Sequence, residues 1–548
     1  MFFSDSELYT EILIHHYQAP SGYCFDISCY DEIMDNPELP SYNKDIMIDN
    51  FIEIAKNDFT KFKEGPANKH LIYAMGKDFA YQKASRNYKN IDKLIEYVNE
   101  RTSETGIEAI YSTPSCYMKG IYEDYVNFYP DYEWPSKSDD FFPYASSEHS
   151  YWTGFFTSRP TLKYYERQSN NLLQVAKQVA SLYGNEITGK IYANQSDINV
   201  LKRAMGTMQH HDAVTGTEKQ NVAEDYALSL HEGSKAVQAY MGPILLSEAG
   251  VEFPMGGNNF LCPLANISQC QLTENFGDNL VVLVYNPLTV PISKVIRFPV
   301  VATNLEVVDS SGQQLPMEFI PVNDFVKKIP GRDSNAEYDV IFKAENLPPL
   351  GYATFHLHKT NSIHHDNVIK KRNAIQKDLD DVIASVGYYQ SANSDGQPSG
   401  AYIFRPNQTE KNILRQENVE VIEGSLVKEL WVTTSQDWAS FIQRQYASSD
   451  EIEVEWLVGP LPSVGAGTEV VMVYSSGLVS TTEEKQEFWT DSNGRQMIRR
   501  LQDTRFSYDL EDGEKIEPVT SNYYPINTGN YHISKSIGNS LLVIFFQL

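Results

Sequence analysis

The chain has 548 residues, 41% of them hydrophobic, including 35 Tyr and 26 Phe, which is too long for one core and supplies apolar surface for several domains. Its net charge of -27 excludes nucleic acid and anionic membrane as partners, because both would repel it. An acidic surface also loses charge in an acidic lumen, and no apolar run is long enough to span a bilayer.

In chain order, Met1 to Glu7 carries no basic start, apolar core or cleavage site, so the sequence predicts no secretory signal in this chain. Ile46, Phe51, Ile52, Ile54, Ala55 and Phe59 mark an amphipathic helix, followed by the apolar run Leu71 to Met75. A second helix around Ile91, Leu94, Ile95 and Val98 leads to a second run, Ile107 to Tyr111. Helices alternating with short buried strands predict a parallel sheet, whose strand ends would bring Asp78, Ser112 and Thr113 near a cleft or use them as loop caps.

From Pro160 the period is helical: Leu162, Leu172, Leu173, Val175, Val179 and Leu182 in one helix, Ile198, Leu201, Ala204, Met205 and Met208 in the next. Thr217 with Gln220 reads as a capping box for a third helix carrying Val222, Tyr226 and Leu230, so a three-helix bundle is expected. After Cys262 short apolar runs such as Leu280 to Tyr285 and Glu469 to Tyr474 alternate with Gly, Pro and Asn. That half is expected to be all-β, as two sandwich-like units joined by the polar stretch from Lys359 to about Asp381.

The five cysteines read most simply as two local disulfides, Cys24 with Cys29 and Cys262 with Cys270, plus one buried thiol at Cys116. Neither pair has metal-knuckle spacing. Asn194, Asn266 and Asn407 head N-glycosylation sequons, a number near chance for this length.

The most informative stretch is Met208-Gln209-His210-His211-Asp212-Ala213-Val214-Thr215-Gly216-Thr217. Helical phase carried past Met208 turns His211 and Asp212 inward and His210 away, with Thr215 to Thr217 stopping the helix. A helix-end histidine against the dipole is the plain alternative, but an inward Asp beside an inward His calls for a partner such as a metal ion. His364-His365-Asp366 repeats the tripeptide within a polar run and reads as solvated linker.

This decamer resembles the signature of the class II alpha-mannosidases, glycoside hydrolase family 38. Four further segments resemble the lysosomal branch of that family, in family order: Asp139 to Tyr144, Tyr151 to Pro160, Ser399 to Asn407, and Thr490 to Arg495. The resemblance implies an α/β plus all-β multidomain fold: part of a parallel α/β barrel over 1–150, a three-helix bundle over 151–245, a first β domain over 260–360, and an incomplete second β-sandwich over 380–548. It also implies retaining, zinc-dependent hydrolysis of terminal alpha-linked mannose from N-glycans in a lysosome or vacuole lumen, with homo-oligomers among the allowed assemblies.

Residue by residue, the resemblance makes His211 a zinc ligand, Asp212 a sugar-hydroxyl partner, Asp140 the acid/base with Asp139 beside it, and Tyr402 a sugar contact. Adjacent carboxylates would supply the like-charge pressure that a general acid needs. The chain departs from the family where it has no His-x-Asp before Asp140 and no nucleophile block in residues 1–45. A chain cut at both ends, short of the nucleophile and most zinc ligands, is therefore expected, and a non-catalytic glycan-binding protein of the same descent is the alternative. An unrelated metal hydrolase would need another His or carboxylate cluster, which the sequence does not offer.

Overall fold

The computed structural model describes residues 8–29, 31–62, 65–187, 195–251, 260–361, 367–393, 396–462, 467–474, 487–506, 510, 517–533 and 540–544. The His364 to Asp366 repeat and Asn194 lie outside them. The chain forms two compact units, residues 1–138 and 139–548, with Asp139 and Asp140 at the start of the second.

In the first unit, α1 (Lys44–Phe59) and α2 (Ala84–Asn99) form where the apolar period places them. Ile48, Phe51 and Ile52 of α1 and Ile91, Leu94 and Val98 of α2 bury against Tyr23, Phe25 and Ile33. A short turn, α3 (Thr102–Thr105), precedes α4 (Pro114–Phe128). Thr113 caps α4 by accepting the Cys116 N–H at 3.2 Å, which is the loop-cap reading of that threonine. Cys116 itself is exposed, not buried, because it sits in the first, solvent-facing turn of α4.

The expected parallel sheet does not appear among the described residues of this unit. Leu71 to Met75 and Ile107 to Tyr111 run without a strand ladder, although Tyr73, Met75, Ile107 and Ala109 still pack on the core. Apolar runs specify burial, but a strand also needs a neighbouring backbone about 4.8 Å away. Here the Asn99 carboxamide takes both groups of Ala109 instead, donating to its carbonyl at 2.9 Å and accepting its N–H at 2.8 Å.

The second unit opens with α5 (Pro160–Ile187), α6 (Gln195–Met208) and α7 (Gln220–Glu248). These share one core of Leu173, Val179, Leu201, Met208, Leu230 and Ile244. Crossing of α6 over α7 is close, since a Cβ on Gly233 would lie 2.8 Å from the Leu201 Cα.

Among the described residues eighteen strands follow, in five antiparallel sheets. The first pair is β1 (Asn279–Asn286), β6 (Gly351–Lys359) and β3 (Leu305–Asp309) against β2 (Ile292–Val300), β5 (Tyr338–Leu347) and β4 (Met317–Pro321), with Phe319, Phe342, Phe355 and Leu357 between them. The second pair is β13 (Glu453–Val458), β12 (Ala439–Tyr446), β11 (Val427–Thr434), β10 (Gln416–Glu423) and β7 (Lys371–Asn373) against β14 (Thr468–Tyr474), β8 (Ala384–Gln390) and β9 (Asn412–Ile413). Val386, Val421, Val432 and Phe441 fill that core. The last sheet is β16 (Gln496–Leu501), β15 (Glu487–Ser492), β17 (Gly529–Ile533) and β18 (Ser540–Ile544). Strands β1 and β14 coincide with the expected runs at Leu280 and Glu469; both are partly buried along their length, and β1 packs Leu280, Val282 and Val284 into the sheet core and Leu283 and Tyr285 against the helices.

The two sheet pairs are joined by Ile320 and Ile341 against Ile422, Trp431 and Ile442. Within that seam Arg297 reaches Asp339 at 2.7 Å and Glu429, while Arg444 reaches Glu429 at 2.6 Å. Glu429 is fully buried, and the two guanidiniums hold its carboxyl down to about 2 against the upward push of burial. Both expected disulfides form, Cys24 with Cys29 and Cys262 with Cys270, at Cα separations of 5.6 and 5.2 Å.

Candidate active site

Helix α6 ends at Met208, two residues before the histidines, so helical phase does not govern them. His210 to Gly216 instead forms consecutive turns, closed by Ala213 N–H to the His210 carbonyl at 3.0 Å and Val214 N–H to the Met208 carbonyl at 3.1 Å. This corrects the expected orientation. His210 does not point away but meets the Asp212 carboxylate at 3.4 Å, His211 meets the same oxygen at 3.6 Å, and their rings lie 4.4 Å apart. His211, expected to face inward, is instead the most exposed of the three at 83%, because the turn rather than helical phase sets its direction, and Asp212 is half-buried.

One ligand-capable atom from each of His210, His211 and Asp212 lies within 4.8 Å of the others. Two imidazoles and a carboxylate are the donor types zinc takes, and three protein ligands with an open position is the count of a catalytic site. The residues present therefore fit zinc, with His210 as a member that the phase argument had turned away. Thr215 and Gly216 disfavour helix beyond the histidines but do not mark Met208 as the last helical residue, so the sequence carried no local signal for His210.

The turn is tied down from several sides. Gly216 has φ +79°, and a Cβ there would collide with the Ser158 carbonyl oxygen. Thr215 Oγ1 donates to the His211 carbonyl, and Thr217 Oγ1 donates to Asp212 Oδ1 at 2.9 Å. Thr217 is thus spent on Asp212 and caps nothing; α7 begins after Lys219 with no side-chain cap, correcting the capping-box reading.

Beyond Thr217 the site continues into aromatic residues. The Tyr402 hydroxyl donates to the Thr217 carbonyl at 3.1 Å, the Tyr402 ring lies 5.2 Å from Trp152, and Trp152 lies 5.6 Å from Tyr144. Tyr402 and Tyr144 are both exposed, so this row of rings presents apolar faces to solvent beside polar edges. The 151–160 segment seats against 399–407: Gly154 N–H donates to the Tyr402 carbonyl at 3.1 Å, and Ser158 Oγ to that of Ala401 at 2.7 Å. A Cβ on Gly154 would approach the Ile403 carbonyl oxygen to 2.8 Å.

Asp139 and Asp140 precede this row of rings, and the environment of Asp140 differs from expectation. Both its oxygens are occupied by Arg500, at 2.7 and 2.6 Å, and Oδ1 also accepts the Phe142 N–H at 3.3 Å. Arg500 is buried, stacks 4.2 Å over Tyr524, and is steadied by Thr490 at 3.0 Å. Its strand leaves the β15 to β16 turn at Asn493 and Gly494, where Asp491 accepts the Gly494 N–H at 2.8 Å. A forked guanidinium takes one lone pair on each carboxylate oxygen and leaves a second on each, so Arg500 fixes the orientation of Asp140.

Segments 139–144, 151–160, 210–217, 399–407 and 490–495 are therefore linked in one network of the second unit. The sequence profile of the Glycosyl hydrolases family 38 N-terminal domain matches residues 3–147, that of the Alpha mannosidase middle domain residues 150–245, and that of the Glycosyl hydrolases family 38 C-terminal domain residues 367–543. The chain belongs to glycosyl hydrolase family 38. Among its family 38 relatives, lysosomal alpha-mannosidase of Homo sapiens is 33% identical over 96% of this chain and 53% of its own length. Lysosomal alpha-mannosidase of Bos taurus is 33% identical over 96% and 52%, and the alpha-mannosidase of Canavalia ensiformis 31% identical over 99% and 58%. The chain spans about half the length of the relatives it matches. A solved protein in glycosyl hydrolase family 38 from Enterococcus faecalis superposes with a TM-score of 0.47 over 85% of this chain and 57% of its own, at 11% identity.

Proposed function

We propose that this family 38 chain serves a retaining alpha-mannosidase of the lysosomal type, releasing terminal alpha-linked mannose from N-glycans in a lysosome or vacuole lumen. The observation that carries the reading is the convergence of His210, His211 and Asp212 on one turn whose next residues meet the aromatic row at Tyr402. His210, His211 and Asp212 would hold the zinc ion; when bound, zinc supplies Lewis-acid polarisation of sugar hydroxyls.

The chain's own residues bind and orient. Ring faces of Trp152, Tyr402 and Tyr144 suit the apolar face of a pyranose, and Tyr402 carries a hydroxyl at the rim. Asp212, fixed by Thr217, accepts a sugar hydroxyl where it is not engaged with metal. Asp140, oriented through Arg500, would be the acid/base, with that ion pair opening as the sugar enters. Asp139 contributes negative charge beside it. Mannose-terminated oligosaccharides are the partner class.

The test is release of mannose from an aryl alpha-mannoside at acidic pH by the 548-residue chain, with and without zinc. Because no nucleophilic carboxylate is found in this chain, the 548 residues by themselves are expected to bind zinc and mannose-terminated oligosaccharide without turnover, with both weakened by His211→Ala and Asp212→Asn. Zinc-stimulated turnover that His211→Ala and Asp140→Asn abolish would show that a nucleophile is present after all, and a folded chain that binds neither zinc nor the oligosaccharide would sink the reading.

A further inference from the structure

Lys163 lies in the first turn of α5, far in sequence from the decamer, yet its side chain ends at the decamer's backbone. Its ammonium donates to the Val214 carbonyl at 2.6 Å and to the Thr215 carbonyl at 2.9 Å. Those two carbonyls belong to the residues two and three places after Asp212, and both residues act back on the cluster: Val214 N–H closes the turn onto Met208, and Thr215 Oγ1 bonds the His211 carbonyl. Nearby, Arg159 donates to the Glu218 carbonyl at 2.9 Å and to Gln220 at 2.6 Å, fixing the exit of the same turn.

We propose that Lys163 is a positioning residue for the His210, His211 and Asp212 cluster, holding the 210–217 turn in its ligating shape by satisfying the Val214 and Thr215 carbonyls. This rests on the zinc reading of that cluster given above. Physically, a turn without helix or sheet bonds leaves carbonyls to be paired from outside, and a cation pairs two at once. Ligand geometry set from outside the ligand sphere is commonly worth on the order of ten- to a hundredfold in metal affinity. Burial of the ammonium pushes it down to about 8, with Glu218 opposing, so it is charged under the acidic and neutral conditions of the test.

The experiment is a zinc-affinity titration of the full 548-residue chain against a competing chelator, at one pH between 5 and 6. Lys163→Met keeps the stem and removes the donors, and zinc affinity is expected to fall about tenfold or more while the melting temperature without zinc stays near that of wild type. Lys163→Arg, which restores a cation with several donors, is expected to recover most of the loss; a merely structural role would show no such pairing of zinc affinity with donor chemistry. Should Lys163→Met not fold, Lys163→Gln carries the test with a smaller weakening in the same direction. Zinc affinity equal to wild type in either folded neutral variant overturns the proposal. A wild-type chain that binds no zinc overturns the metal reading itself, which is a separate failure from the first.

Discussion

Asp140 and Arg500 lie 360 residues apart in the chain and meet oxygen to nitrogen at both ends of a forked pair, 2.7 and 2.6 Å. Arg500 is buried, so deleting its partner strands a charge out of water. We expect Asp140→Asn to destabilise the second unit by roughly 3 kcal/mol, and Arg500→Met by a comparable amount. The double variant should cost much less than the sum. Urea unfolding of the four proteins measures the coupling, and additive losses would mean that the pair contributes nothing and that Asp140 is available for other work.

Glu429 makes a second, pH-dependent prediction. Its folded pKa lies below its ordinary value of 4.5, at about 2, because Arg297 and Arg444 favour the ionised form. A depressed carboxyl contributes stability that is present above the unfolded value and is lost as pH falls through the folded one. The seam between the two sheet pairs should therefore hold in an acidic lumen near pH 5 and weaken between about 4.5 and 2. Glu429→Gln should lower the melting temperature at pH 6 and flatten its decline below pH 4.5. An unchanged profile in that variant would remove Glu429 as the group responsible.

Gly216 tests the turn independently of Lys163. With φ +79° and the Ser158 carbonyl oxygen where a Cβ would go, Gly216→Ala meets both backbone strain and a clash with main chain that has little freedom to retreat. The expected cost is about 1–3 kcal/mol of local stability, read as faster amide exchange over 209–218 and weaker zinc binding with α5 and α7 still protected. Protection unchanged across that segment would place the glycine's role elsewhere.

Cysteine chemistry gives the simplest check. The native chain should react with one equivalent of a thiol reagent, at Cys116, without denaturant. Peptide mapping should recover Cys24 joined to Cys29 and Cys262 joined to Cys270. More than one reactive thiol in the folded, unreduced protein would contradict the pairing.

Local features were legible in the sequence because they depend on neighbours in the chain. Apolar spacing placed α1, α2 and the helices from Pro160 to Glu248, and unbroken apolar runs at Leu280 and Glu469 marked strands that are partly buried along their length. Cysteine spacing gave the two disulfides, since loops that short bring their ends together at little entropic cost. The five motif segments pointed to one family and to the neighbourhood of the site. What the sequence could not supply were partners set by long-range packing. Helical phase turned His210 away because nothing local says that α6 stops at Met208 and that Lys163 and Ser158 then hold a turn. Arg500 as the partner of Asp140 was not legible because the two are distant in sequence, and Thr217 read as a cap because the alternative acceptor, Asp212, comes within reach only when the turn folds back. Ala109 read as a strand residue because its apolar run encodes burial, whereas the pairing of its backbone was decided by where the Asn99 side chain arrived.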